Sequence, residues 1–235
     1  MTATRKPDRS VLAAVPVFRG LDDEALNAAL EVAHPRLVAR GSAVFEQGDT
    51  ADTFFVLVDG RLKVSQTTQG GQQVVIRYIG PGDFFGCVAV SGQSSYPGTA
   101  TAVMDSVAIG WDAEASKQLM ERFPKFAMNA LKTMGTRVQE AHSRLRELAT
   151  EQVEQRVARS VLRLAQQAGQ RVDDGVRIEF PLSREDIAQM TGTTLHTVSR
   201  ILSRWEEDGL VSSGRQRITI RKPHDLVMIA ERAPA

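Results

Sequence analysis

One helical stripe of this chain carries groups suited to hydrogen-bonding with bases. His196, Ser199, Arg200, Ser203 and Arg204 recur at helical spacing, and all are short or basic polar residues. Val198, Ile201, Leu202 and Trp205 recur on the opposite stripe. A helix with an apolar back and a hydrogen-bonding front is what the major groove of duplex DNA accepts. Farther on, Arg215 and Arg217 in the run LVSSGRQRITIRKP are placed to touch backbone phosphate.

Those side chains need a frame. Ser183 and Asp186 have the spacing of a capping box, and Ile187, Ala188 and Met190 give the helix they start an apolar side. Thr191-Gly192-Thr193 breaks it. Thr194 can cap a second helix, which runs to about Asp208 and stops at Gly209. The spacing predicts a helix-turn-helix. LVSSGRQRITIRKP predicts a hairpin after it, turning near Ser213-Gly214, the wing of a winged helix. Val172 to Glu179 predicts a short strand pair before it, and residues 151–169 an amphipathic helix closed by Gly169.

The whole chain sets bounds. Its 235 residues suffice for one large or two ordinary domains, and 42% hydrophobic content supplies real cores. A net charge of +1 gives no bulk attraction to nucleic acid. Between His196 and Lys222, however, six basic residues face three acidic ones, an excess placed where phosphates would be met. One copy supplies few such contacts, so useful affinity calls for a dimer. MTATRKPDRS does not read as a signal peptide, and no apolar run approaches a membrane span. Cys87, the one cysteine, excludes an intramolecular disulfide and fits a reducing cytoplasm.

Ahead of the winged helix the pattern changes twice. Residues 10–33 read as helical, with Leu21 and Leu26 stapling a helix capped by Asp22 and Pro35 ending it. Residues 36–111 are short β-rich runs punctuated by glycine. Asp59-Gly60 predicts a hairpin, Gly70-Gly71 a second turn, and the whole a small antiparallel barrel or jelly roll. Residues 113–149 read as helical again. There Ala127, Leu131, Met134, Val138, Ala141, Leu145 and Leu148 alternate at spacings of four and three, with charged flanks that include Arg137. This is the seam of a two-stranded coiled coil, or a stripe packed on the chain's own barrel; its narrowness favours a parallel homodimer. Such a dimer presents two helix-turn-helix units to a pseudo-palindromic double-stranded site, one DNA turn apart.

The order of glycine-punctuated roll, long helix and winged helix resembles the cyclic-AMP receptor protein/FNR superfamily of bacterial transcription regulators. FRGLDDEAL, VFEQGDTADTFFVLVDGRLKV, IGPGDFFG and SREDIAQMTGTTLHTVSRILSRWEEDGLV carry the resemblance, in that order. It implies an α+β protein with an effector-sensing β-roll domain over residues 1–112. A dimerisation helix over 113–150 and a winged helix-turn-helix DNA-binding domain over 151–235 complete it. RNA polymerase is the partner it implies beyond DNA.

The resemblance also assigns sites. Gly86, Cys87, Pro97, Gly98 and Thr99 fall at the effector pocket. Cyclic-nucleotide-binding members carry there a glutamate for the ribose hydroxyl and an Arg-Ser pair for the phosphate; this chain has Cys87, Pro97 and Gly98. A phosphate buried without arginine lacks its counter-charge, so cyclic AMP is not expected. One cysteine excludes the iron–sulfur cluster of the oxygen-sensing branch. SYPGTATAV and TTLHTVSRILSRWE look similar to the nitrogen-oxide-responsive regulators of denitrification, which implies nitric oxide sensed through haem. Candidate ligands are His34, Cys87 and His142; His34 also reads as a surface histidine, and Met104 and Met134 as core residues. Cys87 reads either as a redox-reactive thiol or as a small buried hydrophobe. A metal-dependent jelly-roll enzyme would need clustered histidines, and His34 is the only one before residue 142. A sensor that binds a partner protein and not DNA would have no use for the Arg200 stripe and basic wing.

On the DNA face, the resemblance makes Arg200 the guanine reader, bidentate to O6 and N7, with Ser199 beside it. His196 stands where a glutamate accepts from cytosine, so the half-site should depart from the family's at that base pair. Leu195 is either core or a contact to a thymine methyl. Ser183, Thr194 and Thr197 match positions that meet phosphate. For Ser183 a helix-cap role can hold as well.

Overall fold

The computed structural model describes residues 9–92 and 94–232; the first eight residues of the N-terminal decapeptide lie outside the described residues. The chain divides into two compact units. One holds the described residues through Thr67 together with Arg77–Glu140, the other Thr68–Ile76 and the chain from Ala141 onward.

The first unit opens with α1 (Arg9–Ala14) and α2 (Asp23–Glu31). The helical reading of 10–33 is thus split, because Pro16 starts a separate short turn after Val15. Asp22 does cap α2, its carboxylate accepting from the Ala25 amide at 2.9 Å. Eight strands follow: β1 (His34–Val38), β2 (Ala43–Phe45), β3 (Thr53–Asp59), β4 (Leu62–Thr67), β5 (Gln73–Ile79), β6 (Phe84–Phe85), β7 (Thr99–Ala102) and β8 (Ser106–Asp112). They form two antiparallel four-stranded sheets, ordered β1-β8-β3-β6 and β2-β7-β4-β5. Leu57, Leu62, Ile79, Phe85 and Ala100 fill the roll's interior. A second core gathers Leu12, Phe18, Leu26, Phe54, Trp111 and Phe126, with the Trp111 indole donating to the Ala29 carbonyl at 2.8 Å.

Asp59-Gly60 corrects the hairpin expectation. β3 and β4 lie in different sheets, so this turn is a crossover. Gly60 sits at φ +91, and a Cβ there would meet the Ser106 hydroxyl at 2.3 Å and the Asp105 carbonyl at 2.6 Å. The chain passes too close to the β7–β8 turn for any side chain at this position. Gly70-Gly71 is a true hairpin turn, with the Thr68 amide donating to the Gln72 carbonyl.

The helical stretch after the roll is also interrupted. α3 (Ala113–Arg122) ends at Phe123, and Pro124 opens α4 (Pro124–Thr150). Proline disfavours helical geometry in the residue before it, and it has no amide for the previous turn.

The second unit is built on α5 (Val153–Ala168), which buries Val157, Val161 and Leu164. Arg163 pairs with Glu147 at 2.6 Å and Arg159 with Glu151 at 2.9 Å, tying α5 to the end of α4 and the residue after it. Then come β9 (Gly169–Val172), β10 (Gly175–Ile178), α6 (Arg184–Thr191), α7 (Leu195–Glu207), β11 (Val211–Gly214), β12 (Arg217–Ile220) and α8 (Pro223–Ala230). The strands form one antiparallel sheet, ordered β11-β12-β10-β9. Ser213 and Gly214 lie within β11, and the wing turns at Arg215-Gln216 instead, with Gln216 at φ +59. The Gln216 carbonyl accepts from the Leu182 amide at 3.1 Å, which anchors that tip. Sequence reading did not foresee α8, which buries Leu226 and Ala230.

Candidate nucleic-acid interface and effector cavity

α6 and α7 are set by their caps. The Ser183 hydroxyl accepts from the Asp186 amide at 3.0 Å and donates to the Asp186 carboxylate at 2.5 Å, while that carboxylate accepts from the Ser183 amide. The hydroxyl proton is therefore committed to the cap. Thr194 accepts from the Thr197 amide at 3.1 Å, and the two hydroxyls share a 2.9 Å hydrogen bond. Val198, Leu202 and Trp205 are fully buried on the back of α7. Trp205 fixes the helix further by donating to Glu154 at 3.0 Å.

The front of α7 is open. His196, Arg200, Ser203 and Arg204 are exposed, and Ser199 and Thr197 half-buried. Leu195 is 47% exposed, so it belongs to this front and not to the core. Arg215 and Arg217 are exposed on the wing. Three other cations nearby are paired: Arg184 with Glu206, Arg221 with Asp174 and Arg177 with Glu179. Arg200, Arg204, Arg215 and Arg217 have no ion pair among the described residues. The front thus holds unneutralised guanidiniums beside a helix start, which is an electrostatic footprint for phosphate and base edges.

The roll holds a cavity of about 180 Å³. Gly86, Cys87, Pro97 and Gly98 line it, together with Phe45, Arg77, Phe85, Tyr96 and Arg137. Thr99 does not line it; its hydroxyl accepts from the Gln47 amide at 3.0 Å. A Cβ at Gly98 would meet the Ser65 carbonyl at 2.8 Å, so this position admits no side chain. Phe45 and Tyr96 stack, with ring centroids 3.8 Å apart.

The two arginines correct the expectation of a cavity without cations. Arg137 is no solvated flank: its side chain is 17% exposed, lies over the Phe84 ring and donates to the Phe84 carbonyl at 3.0 Å. Arg77 donates to the same carbonyl at 3.1 Å. One signal was present in sequence. Val75, Arg77 and Ile79 share a face of β5 by strand alternation, and the outer two are buried. Burial lowers the Arg77 guanidinium from its usual range, with Asp83, Cys87 and Glu140 opposing the shift.

Burial likewise pushes the Cys87 thiol up, against a smaller opposite pull from Arg77. The neutral thiol is a poor nucleophile, so the geometry works against a redox-reactive Cys87. The residues do not fit haem. His34 faces Asp112 at 3.7 Å with its side chain 67% exposed, Met104 and Met134 are exposed and not core, and His142 lies exposed in the other unit. Of these only Cys87 reaches the cavity, and no group of three metal-ligating side chains occurs among the described residues.

Two family profiles match the chain. A cyclic nucleotide-binding domain covers residues 35–123, and a Crp-like helix-turn-helix domain covers 155–229. The Cyclic AMP receptor protein of Thermus thermophilus is 30% identical over 215 residues, spanning 92% of this chain and 96% of that protein. The CRP-like cAMP-activated global transcriptional regulator of Mycobacterium tuberculosis is 25% identical, over 86% of this chain and 90% of that one. Among solved structures, FixK2 from Bradyrhizobium japonicum shares the fold, with a TM-score of 0.75 at 22% identity over 86% of this chain and 100% of that chain. No helix among the described residues is long and apolar enough to cross a membrane. With a cyclic nucleotide-binding roll, a capped helix-turn-helix and relatives that match along nearly their whole length, the chain belongs to the CRP/FNR family of transcription regulators.

Proposed function

We propose that two copies of the chain pair along α4 and that each lays α7 in the major groove of a separate turn of a pseudo-palindromic site. A small molecule other than cyclic AMP, held in the roll, controls the pair, which acts on transcription through RNA polymerase. The observation that carries the reading is the seam. Leu131 is 65% and Leu145 66% exposed, Met134, Val138, Ala141 and Leu148 are exposed too, and Ala127 is half-buried. These positions keep much of their apolar surface open. Apolar area covered by a partner gains roughly 25 cal/mol per Å², and knobs at these spacings fit a second copy.

The named relatives respond to cyclic AMP. Here Pro97 and Gly98 replace the phosphate-binding pair, and the cavity, about 180 Å³, falls below the roughly 300–1,000 Å³ typical of sites for drug-sized ligands. The volume supports a smaller effector, and the counter-charge missing at Pro97 and Gly98 is supplied by Arg77 and Arg137.

Sedimentation decides the seam. The chain should run as a dimer, and a Leu131→Glu, Leu145→Glu variant as a 25.7 kDa monomer with a folded circular dichroism spectrum. A monomeric unaltered chain, with and without promoter DNA, refutes the pairing.

A further inference from the structure

We propose that the roll cavity binds a small organic monoanion, a carboxylate on a compact apolar body, with the carboxylate held between Arg77 and Arg137. This deepens the effector reading above and rests on it for its regulatory meaning only. The charge balance comes first. Arg77 and Arg137 both donate to the Phe84 carbonyl, so two guanidiniums meet at one neutral oxygen. Asp83 is the carboxylate between them. It lies 3.6 Å from Arg137, and its other oxygen accepts from the Gly80 amide. Asp83 also acts on Arg61, and Glu140 acts on Arg77. Two guanidiniums thus crowd one neutral oxygen in a partly buried setting. Like charges there repel strongly unless an anion enters.

Hydrogen bonding points the same way. The Arg137 Nε is buried without a protein partner. An unpaired buried donor on a charged group is costly, and a carboxylate satisfies it in the side-on geometry that arginine favours. The remaining lining is apolar and flat. The stacked Phe45 and Tyr96 rings, with Phe85 and Val64, suit a ring or a branched chain. Tyr96 cannot turn a hydroxyl toward the ligand, because it donates to the Thr53 carbonyl at 2.6 Å and accepts from the Thr53 amide. A cavity of about 180 Å³ suits one such group.

Arg137 also links the cavity to the seam. It lies on α4 next to Val138 and three residues after Met134, so an anion that draws its guanidinium away from Phe84 acts on the face that pairs two copies. The site therefore reports occupancy through a helix it shares with the interface.

Calorimetric titration and thermal shift test this on the full chain. The probes are benzoate, cyclohexanecarboxylate and isovalerate, each beside its neutral amide, with cyclic AMP as a separate arm. At least one acid should bind about tenfold or more tightly than its amide, and Arg77→Gln and Arg137→Gln should each weaken that acid by about tenfold. The comparison of acid with amide uses the unaltered chain and stands whether or not either variant folds. Equal binding of acid and amide, no binding of any acid, binding that survives both substitutions in folded variants, or binding of cyclic AMP alone overturns the proposal. A gel shift with the bound acid then addresses regulation separately. Acid binding that leaves DNA affinity unchanged retires the effector reading and keeps the cavity assignment.

Discussion

Arg200 and Cys87 show how differently single residues report. Arg200 is exposed on the front of α7 and contributes nothing to the core. Arg200→Ala should therefore leave the unfolding midpoint unchanged while costing about 1–3 kcal/mol of DNA affinity and relaxing one base pair. Competition gel shifts against a panel of half-site variants measure both. Uniform weakening across the panel would assign Arg200 to phosphate instead. Cys87 reports through pH. Burial raises its pKa above an ordinary value near 9, so the unfolded chain releases the proton first. The folded state then loses stability as pH climbs past about 9 and keeps it fully below. Tyr96 adds to the same fall from about 10, again chiefly through burial. Cys87→Ala should flatten the first part of that decline in urea titrations run from about pH 7 to about 11. An unchanged curve contradicts the buried-thiol account. Arg200 was legible because helical periodicity fixes its face. Arg77 was missed although its place on an alternating strand marked it as inward, and Arg137 because a coiled-coil flank normally faces water.

Caps were read well, while the local breaks at Pro16 and Pro124 and the turns set by distant pairing were not. The capping box of α6 depends on residues three apart, and sequence located it. Ser183→Ala should lower stability by about 1 kcal/mol by removing the acceptor for the Asp186 amide. A thermal or urea midpoint that does not move would leave the cap without energetic weight. The Asp59-Gly60 turn depends on which strands β3 and β4 meet elsewhere. Its residues are those of a hairpin, and only the two-sheet arrangement turns it into a crossover. The wing slipped by two residues for a related reason. Gly214 is the natural turn residue, yet the bond from the Leu182 amide to Gln216 sets the tip farther along. The apolar stripe of α4 was legible as a pattern, and the structure adds that most of its residues are exposed.

At the scale of the whole molecule, a near-neutral chain carries a local excess of basic residues from His196 to Lys222. Affinity should fall linearly with the logarithm of salt, by roughly 0.9 for each phosphate neutralised. Arg215→Ala should weaken binding to all sequences alike and reduce that slope by about one. A gel shift across several salt concentrations reads the slope, and a flat line would exclude backbone contact by the wing. Selection of sites in vitro should return two half-sites spaced by one helical turn, altered at the pair facing His196. Recovery of the family's usual half-site would show that His196 does not read a base.

The place of β8 has a consequence for synthesis. β1 and β3 flank it on either side, and His34 and Phe55 both lie opposite Gly110. Neither early strand can find this neighbour until Asp112 has cleared the ribosome's exit tunnel. A nascent chain stopped short of that residue carries open strand edges, which are sticky. The roll should consequently close late and slowly, as non-local pairing does, and chaperones should meet it before then.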